Sequence, residues 1–195
     1  MPSLFQMRFI ASAERPDQRA QLPPKPEVAL CGRSNVGKSS LLNALGGSSK
    51  LARVSKTPGR TRLINTFLVD DRFYFVDLPG YGYAKAGKQQ QAQWGQTIPA
   101  YLADNTNLQL ALVLVDFRIP PQKSDAELCA FLRAQGIRHG LVATKCDDVP
   151  VREWQKRIMD LAYACKLTFA NEVLPVSAQK GTGLAELAQA ILTVV

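Results

Sequence analysis

The sequence predicts an α/β fold in which a mostly parallel sheet carries helices on both of its faces. Short apolar runs typical of buried strands alternate with longer segments whose apolar residues recur at helical spacing. A glycine-rich phosphate-binding pattern follows the first apolar run, and polar motifs follow several later ones. Because ligands bind beyond the carboxyl ends of the strands in open α/β sheets, these motifs are expected at one edge of the sheet.

The chain of 195 residues is long enough for one domain with a substantial core. Residues 1–26 contain four prolines and are expected to form a partly ordered N-terminal arm ahead of a domain over residues 27–195. A tight turn at Asp70-Asp71 predicts an antiparallel pair, which places one antiparallel strand at the edge of a six-stranded sheet. The predicted strands are Val28–Cys31, Leu63–Val69, Phe73–Val76, Leu108–Val115, His139–Ala143 and Val173–Val176. The predicted helices are 40–45, 89–102, 125–134, 151–165 and 184–192.

The pattern G-x-x-x-x-G-K-[ST] lies between the first strand and the first helix. It consists of Gly32, Arg33, Ser34, Asn35, Val36, Gly37, Lys38 and Ser39. The glycines let main-chain N–H groups surround an anion, Lys38 would reach the β- and γ-phosphates, and Ser39 offers an oxygen to a phosphate-bound Mg²⁺. The alternative is a glycine-rich turn without a ligand, but the strand and helix that the motif requires are both predicted.

A second motif, Asp77-Leu78-Pro79-Gly80, follows the third predicted strand directly. It places a carboxylate at a strand end and a glycine N–H where it can face a phosphate. The same four residues could form an ordinary strand-end turn, and their position after a phosphate loop favours the functional interpretation.

A third motif, Thr144-Lys145-Cys146-Asp147, follows the fifth predicted strand and indicates which base is bound. A carboxylate can accept hydrogen bonds from N1–H and the 2-amino group of guanine, whereas adenine leaves it unpaired. The stem of Lys145 can lie along the base. After the last strand, Val176-Ser177-Ala178 offers the Ala178 N–H to guanine O6. The alternative is a polar connection in which Asp147 or Asp148 caps a helix.

The distribution of positive charge and the amino-acid composition indicate which partners and which compartment to expect. The formal net charge is +8, and no acidic residue occurs between Val28 and Val69. This segment contains Arg33, Lys38, Lys50, Arg53, Lys56, Arg60 and Arg62. The segment predicts either a surface that binds a polyanion or an ordinary solvent-exposed surface, of which two basic residues bind the nucleotide. The four cysteines lack the spacing of a zinc site, and no long apolar segment is present, so a cytoplasmic protein is expected.

With these motifs in place, residues 27–190 resemble the EngB family of bacterial ribosome-associated GTPases, within the Ras-like class. The most specific segments are Gly32–Ser40, Lys56–Thr61 with Leu63–Asn65, and Asp77–Lys85. Thr144 replaces the asparagine that is common in GTPases generally, as is usual in this family. Ile119 stands where relatives often have histidine after Asp116-Phe117-Arg118, so the role of that loop stays open.

The resemblance implies a three-layer, Ras-like P-loop GTPase domain that binds GTP or GDP with Mg²⁺. It implies that Ser39, Thr61 and Asp77 hold the metal, and that Lys38, Thr61 and Gly80 act in catalysis. It adds Gly59 and Arg60 to the nucleotide contacts that the motifs predict. Some relatives use an asparagine at the position of Asn35 to hold K⁺, so hydrolysis stimulated by K⁺ is also expected.

The resemblance further implies a role in assembly of the large ribosomal subunit and a link to cell division and septum formation. The expected partner is a precursor of that subunit, with its rRNA and ribosomal proteins, and a monomer that binds neither DNA nor membrane is expected. Tyr81 stands where many GTPases have a water-orienting glutamine, so intrinsic hydrolysis should be slow. The competing hypothesis is an RNA-binding module in which the nucleotide is mainly structural. An ATPase or kinase is disfavoured by Asp147.

Overall fold

The computed structural model describes residues 3–19, 22–49, 51–52, 63–81, 98–102 and 105–195. In these residues one seven-stranded sheet lies between two layers of helices. The strands are β1 (Met7–Ala13), β2 (Glu27–Gly32), β3 (Ile64–Val69), β4 (Phe73–Asp77), β5 (Leu108–Asp116), β6 (His139–Thr144) and β7 (Val173–Val176). The helices are α1 (Lys38–Leu45), α2 (98–102), α3 (Lys123–Ala134), α4 (Val151–Cys165) and α5 (Leu184–Leu192). No described helix has the length and apolarity needed to cross a membrane.

The strand order is β1-β3-β4-β2-β5-β6-β7, and β3 runs antiparallel to both of its neighbours. The predicted antiparallel pair is confirmed, because Asp70 and Asp71 take left-handed φ angles of 49° and 53° in the turn that joins β3 to β4. The predicted mostly parallel sheet with an antiparallel edge is confirmed, but the prediction of six strands was wrong, because the described sheet has seven. Residues of the expected N-terminal arm form β1, which pairs with β3 and satisfies its backbone groups.

The sequence concealed β1 because its apolar residues do not alternate. The register shifts between Phe9, opposite Phe67, and Ala11, opposite Thr66, so that Ile10 lies in a bulge. The neighbouring Phe5 is also buried and packs edge-on against Phe73 and Phe75. Residues before position 27 therefore contribute both a strand and a core side chain to the fold.

The core has one part on each face of the sheet. The first contains Val28 and Leu30 of β2 with side chains of α1 and α5, and the second contains Ala29 and Cys31 with side chains of α2, α3 and α4. All six residues of β2 are buried, as expected for a central parallel strand. Its carboxyl end is thereby fixed between β4 and β5, where the phosphate loop begins.

At the opposite end of β2, the buried Glu27 carboxylate joins the N-terminal segment to the domain. It accepts hydrogen bonds from Arg19 at 2.8 Å, the Tyr101 hydroxyl at 2.6 Å and Asn105 at 2.8 Å. The Arg19 guanidinium also lies 5.2 Å from the centre of the Tyr101 ring and donates to Thr66. Three donors satisfy this buried charge, so Arg19 connects the N-terminal segment to α2.

Candidate nucleotide-binding site

The phosphate loop, residues 32–39, connects β2 to α1 at the carboxyl edge of the sheet. Asn35 and Gly37 have left-handed φ angles of 63° and 116°, which turn the chain sharply. A Cβ on Gly32 would lie 2.8 Å from Val36 Cγ1, so the close packing of the loop on itself requires glycine there. The loop thus has the compact, glycine-dependent form that the motif predicts.

Lys38 and Ser39 begin α1. The Lys38 side chain is 8% exposed, and its Nζ donates to the Gly32 carbonyl at 3.3 Å, so the ammonium group lies over the loop. Gly37 is the N-cap of α1 and provides no side-chain cap. The first N–H groups of the helix therefore have no side-chain acceptor and can bind an anion, as can the half-buried Ser39 hydroxyl.

Asp77 ends β4, one strand away from the phosphate loop. Its carboxylate is 2% exposed, and Oδ1 has no hydrogen-bond partner. Burial raises the pKa of Asp77, against the lowering effects of the Lys38 charge and a hydrogen bond from Asn65. An unpaired carboxylate oxygen at such a position is costly, and a hydrated cation beside it would remove that cost.

The residues present fit Mg²⁺ in that position. Asp77 and the Ser39 hydroxyl are hard oxygen donors of the kind that this ion prefers. In the described ranges, no group of three histidine, cysteine, aspartate or glutamate side chains could hold a metal by itself. The remaining ligands would have to be phosphate oxygens and water, which is how Mg²⁺ usually binds in phosphate-transfer sites.

The Asp77–Gly80 motif lies directly on the phosphate loop. Leu78, Pro79 and Gly80 are all buried, and Ser34 Oγ donates to the Gly80 carbonyl at 3.3 Å. A Cβ on Gly80 would lie 3.0 Å from the Ser34 backbone, so glycine permits this approach. The structure therefore brings two of the predicted motifs together.

The Thr144–Asp147 motif contacts the other side of the same loop. Thr144 Oγ1 lies 2.6 Å from the Val36 carbonyl and 3.0 Å from the Val115 carbonyl, with one proton to donate. Lys145 Nζ donates to the Asn35 carbonyl at 2.9 Å. Pairing of β6 with β7 sets Thr144 beside Val176, which brings Ser177 and Ala178 to the same edge.

The structure also bears on whether Asp147 or Asp148 caps a helix. The N-cap of α4 is Pro150, and no side chain caps this helix or the short 3₁₀ turn Cys146–Asp148. Asp148 instead pairs with Arg118 at 3.3 Å. Asp147 is exposed and makes no hydrogen bond within the described ranges, so its carboxylate is free to accept from a ligand.

Residues 27–145 match the family described as 50S ribosome-binding GTPase. A probable GTP-binding protein EngB of Bacillus cytotoxicus is 40% identical over 183 residues, which are 94% of this chain and 92% of that protein. The Thermotoga maritima protein of the same description is 44% identical over 171 residues, 88% of this chain and 87% of its own. The chain belongs to the EngB family.

Solved structures agree with the EngB assignment. A crystal structure of a probable GTP-binding protein EngB has a TM-score of 0.73 at 28% identity and covers 86% of this chain and 97% of its own. Era, crystallised with MgGDPNP and a segment of 16S ribosomal RNA, has a TM-score of 0.71 at 26% identity and covers 89% of this chain and 57% of its own. The predicted three-layer P-loop GTPase fold and the GTPase activity are thereby confirmed.

Two features of this EngB-family site were not predicted. The Tyr81 side chain, next to Gly80, donates to Asp125 at the start of α3 at 2.9 Å. Asp116, at the end of β5, forms ion pairs with both Lys145 and Arg118. The only sequence signal for the second was the Asp116-Phe117-Arg118 segment itself, to which no role was assigned. Lys145 lies 29 residues from Asp116, and Asp125 lies 44 residues from Tyr81, so local patterns do not reveal these two pairs.

Several predicted residues lie outside the described part of this EngB-family chain. They are the nucleotide and metal contacts Gly59, Arg60 and Thr61, and the basic residues Lys50, Arg53, Lys56 and Arg62. Their predicted roles remain predictions.

Proposed function

We propose that this GTPase binds Mg²⁺ and GTP at the carboxyl ends of β2, β4, β6 and β7. We further propose that GTP hydrolysis acts as a switch in assembly of the large ribosomal subunit. The observation that carries the nucleotide site is the buried Asp77 carboxylate with its unpaired oxygen beside the Lys38 charge. A buried acid of this kind is stabilised when a hydrated cation brings positive charge and when the water bound to that cation donates hydrogen bonds. We assign Ser39, Asp77 and Thr61 to the metal.

The guanine base would lie between Asp147 and Ala178. Asp147 is exposed and has a free carboxylate, and the pairing of β6 with β7 brings Ala178 to the same edge of the sheet. The carboxylate accepts from N1–H and the 2-amino group of guanine, and the Ala178 N–H donates to O6. Lys145 keeps its stem along the base while its ammonium group lies on the phosphate loop.

Catalysis in this proposal depends on positioning and charge, because no described side chain at the site is placed as a general base. Mg²⁺ held by Ser39, Asp77 and Thr61 would neutralise charge on the transferring phosphoryl group. Lys38 would contact the phosphate oxygens, the Gly80 N–H would face the γ-phosphate, and Thr61 would join Ser39 and Asp77 in holding the metal. Tyr81 does not orient the attacking water, because its hydroxyl is bound to Asp125. Intrinsic hydrolysis is therefore slow, and we propose that K⁺ at Asn35 accelerates it.

The partner in this proposal is a precursor of the large ribosomal subunit, with a linked role in division and septum formation. The matching family is described as 50S ribosome-binding, which supports a ribosomal partner. Lys50, Arg53, Lys56, Arg60 and Arg62 lie in a segment without acidic residues, so they would contact rRNA phosphates. Ordering of Thr61 by the γ-phosphate and metal would present this basic segment, and hydrolysis would withdraw it.

The test compares capture of assembling large subunits by the full chain in the presence of GDP and of a non-hydrolysable GTP analogue. We expect stronger capture with the analogue, and Arg53→Glu with Lys56→Glu should abolish it while GTP affinity stays within a few fold. A matched control, Arg138→Glu with Arg152→Glu, makes the same charge change on the other half of the chain. Equal capture in both nucleotide states, or undiminished capture by the first variant, would defeat the ribosomal part of the proposal.

A second candidate is an RNA-binding module in which the nucleotide is mainly structural, and the attachment of Tyr81 to Asp125 favours it by removing a water-orienting side chain. Release of captured subunits separates the two hypotheses. If the switch operates, subunits captured with GTP dissociate at the rate of hydrolysis. If the nucleotide is structural, they dissociate at the same rate with GTP and with the non-hydrolysable analogue.

A further inference from the structure

The loop that follows β5, Asp116-Phe117-Arg118, is built around one carboxylate. Asp116 Oδ2 accepts from Lys145 Nζ at 2.7 Å and from Arg118 Nη2 at 2.8 Å. Asp116 Oδ1 accepts from Arg118 Nε at 2.9 Å and from the Arg118 backbone N–H at 3.1 Å. Four donors therefore surround Asp116, and one of them belongs to the loop that we assign to the base.

Lys145 connects Asp116 to the phosphate loop. The same Nζ that binds Asp116 donates to the Asn35 carbonyl. Lys145 and Asn35 both have left-handed φ angles, 61° and 63°. This conformation costs a non-glycine residue about 1 kcal/mol, so it persists where surrounding contacts hold it. The Lys145 ammonium group supplies such a contact to both residues, and the Asp116 charge keeps it in place.

The outer side of the 116–118 loop is attached to two further elements. Arg118 Nη1 pairs with Asp148, the residue next to Asp147, at 3.3 Å. Arg157 of α4 donates to the carbonyls of Phe117 and Arg118 at 3.1 Å each, and its guanidinium pairs with Glu153 at 2.8 Å. The loop is therefore fixed to α4 on one side and to the base loop on the other.

We propose that Asp116 is a positioning residue for nucleotide binding, which holds Lys145 against the phosphate loop so that the base loop and the phosphate loop act as one unit. Arg118 assists by fixing the Asp116 carboxylate. Without this pairing Lys145 loses its orientation, the base loop separates from the phosphate loop more often, and bound nucleotide leaves faster. This inference rests on the proposed nucleotide site, because it assigns Lys145 to that site.

The carboxylate has the charge that the proposal needs. Burial raises the pKa of Asp116, but the hydrogen bonds from Arg118 and Lys145 outweigh it and lower the pKa to about 2. Asp116 is therefore ionised throughout the range in which the protein would be assayed. The pairing of Asp116 with Lys145 and Arg118 should therefore not weaken between pH 5 and pH 8.

The experiment measures the rate at which a fluorescent GDP analogue dissociates from the full chain in the presence of Mg²⁺. We expect Asp116→Ala to raise that rate about tenfold, since the three charge-assisted hydrogen bonds that Asp116 accepts from Lys145 and Arg118 disappear. Asp116→Asn keeps the shape and one acceptor, so its rate should lie between. Glu127→Gln is the matched control, because it breaks an exposed i,i+4 ion pair with Lys123 on α3, and its rate should stay within twofold of the unmodified chain.

A double-mutant cycle separates positioning from a general loss of stability. If Asp116 acts through Lys145, the double variant Asp116→Ala with Lys145→Ala should release the GDP analogue less than twofold faster than Lys145→Ala alone. The inference would be overturned if the effects of the two substitutions on the dissociation rate multiply, or if Asp116→Ala has no effect. If Asp116→Ala does not fold, Asp116→Asn and Arg118→Ala test the inference instead, and both must accelerate release. If Lys145→Ala itself leaves release unchanged, the proposed nucleotide site is at fault rather than this pairing.

Discussion

The Tyr81 hydroxyl donates a hydrogen bond to the Asp125 carboxylate at 2.9 Å, and this contact ties the residue after Gly80 to the start of α3. The Tyr81 backbone pairs at the same time with the phosphate loop, since its carbonyl accepts from the Ser34 N–H at 3.0 Å and its N–H donates to the Gly32 carbonyl at 3.3 Å. The side chain of Tyr81 is thus fixed to α3 and its backbone to the phosphate loop, which also fixes the position of the neighbouring Gly80.

Stability should depend on pH through Asp125, which is 3% exposed. Burial raises its pKa to about 6 from 3.8, against lowering effects of the Tyr81 hydrogen bond and the Arg33 charge. Because the folded state binds this proton more tightly than the unfolded state, the group lowers stability as pH rises from about 4 to 6. The full cost, up to about 3 kcal/mol, applies above pH 6.

The test compares Asp125→Asn with the unmodified chain by denaturant unfolding at pH 5 and pH 7.5. The variant should gain relative stability at the higher pH, because its amide does not ionise. Tyr81→Phe is the control that removes the hydrogen bond but keeps the carboxylate, so its pH dependence should persist. The prediction would be contradicted if the free energies of unfolding of Asp125→Asn and of the unmodified chain differ by the same amount at pH 5 and pH 7.5.

Base preference should follow Asp147. Asp147→Asn reverses the hydrogen-bond polarity at one position, so affinity should shift from guanine to xanthine nucleotides, whose 2-position carries an oxygen. Competition of GDP, XDP and ADP against a fluorescent nucleotide measures the preference. Asp148→Asn is the control, because this neighbour pairs with Arg118 and should leave the order GDP over XDP unchanged. Equal affinity of the unmodified chain for ADP and GDP would refute the base assignment.

Hydrolysis should be faster in K⁺ than in Na⁺ if the Asn35 side chain helps to bind the ion, and the stimulation should disappear when that side chain is removed. Asn35→Gly is the suitable variant because Asn35 has a left-handed φ of 63°, which glycine adopts without strain. Single-turnover rates in each salt provide the measurement. Identical rates of the unmodified chain in K⁺ and Na⁺ would show that Asn35 only shapes the loop.

Arg19→Ala should destabilise the protein by about 3 kcal/mol, because it leaves the buried Glu27 carboxylate without its cation. Thermal unfolding in the presence of GDP and Mg²⁺ measures the loss. Arg15→Ala is the matched control, since Arg15 pairs with Asp17 at the surface and should contribute less than about 1 kcal/mol. Similar losses for the two variants would mean that the N-terminal segment is not coupled to the core through Arg19.

The central strands could be predicted because their signals are local. The apolar run before Gly32 and the turn at Asp70-Asp71 each depend on neighbouring residues, and both appear in the structure as expected. Strand β1 could not be predicted in this way. Its bulge at Ile10 disrupts the alternation, and the strand forms because β3 offers an unpaired edge more than fifty residues later.

By itself, the sequence determined the fold class, the family and the motifs that we assign to the phosphates, the metal and the base, because each motif is a short run of residues at a strand end. Only the tertiary structure decided how those motifs support one another. Lys145 lies 29 residues from Asp116 and 110 from Asn35, and Tyr81 lies 44 residues from Asp125. These pairs form because the carboxyl ends of parallel strands lie at one edge of the sheet, which brings distant chain segments together. Opposite charges and hydrogen-bonding groups then pair there, and no local sequence pattern predicts which residues these are.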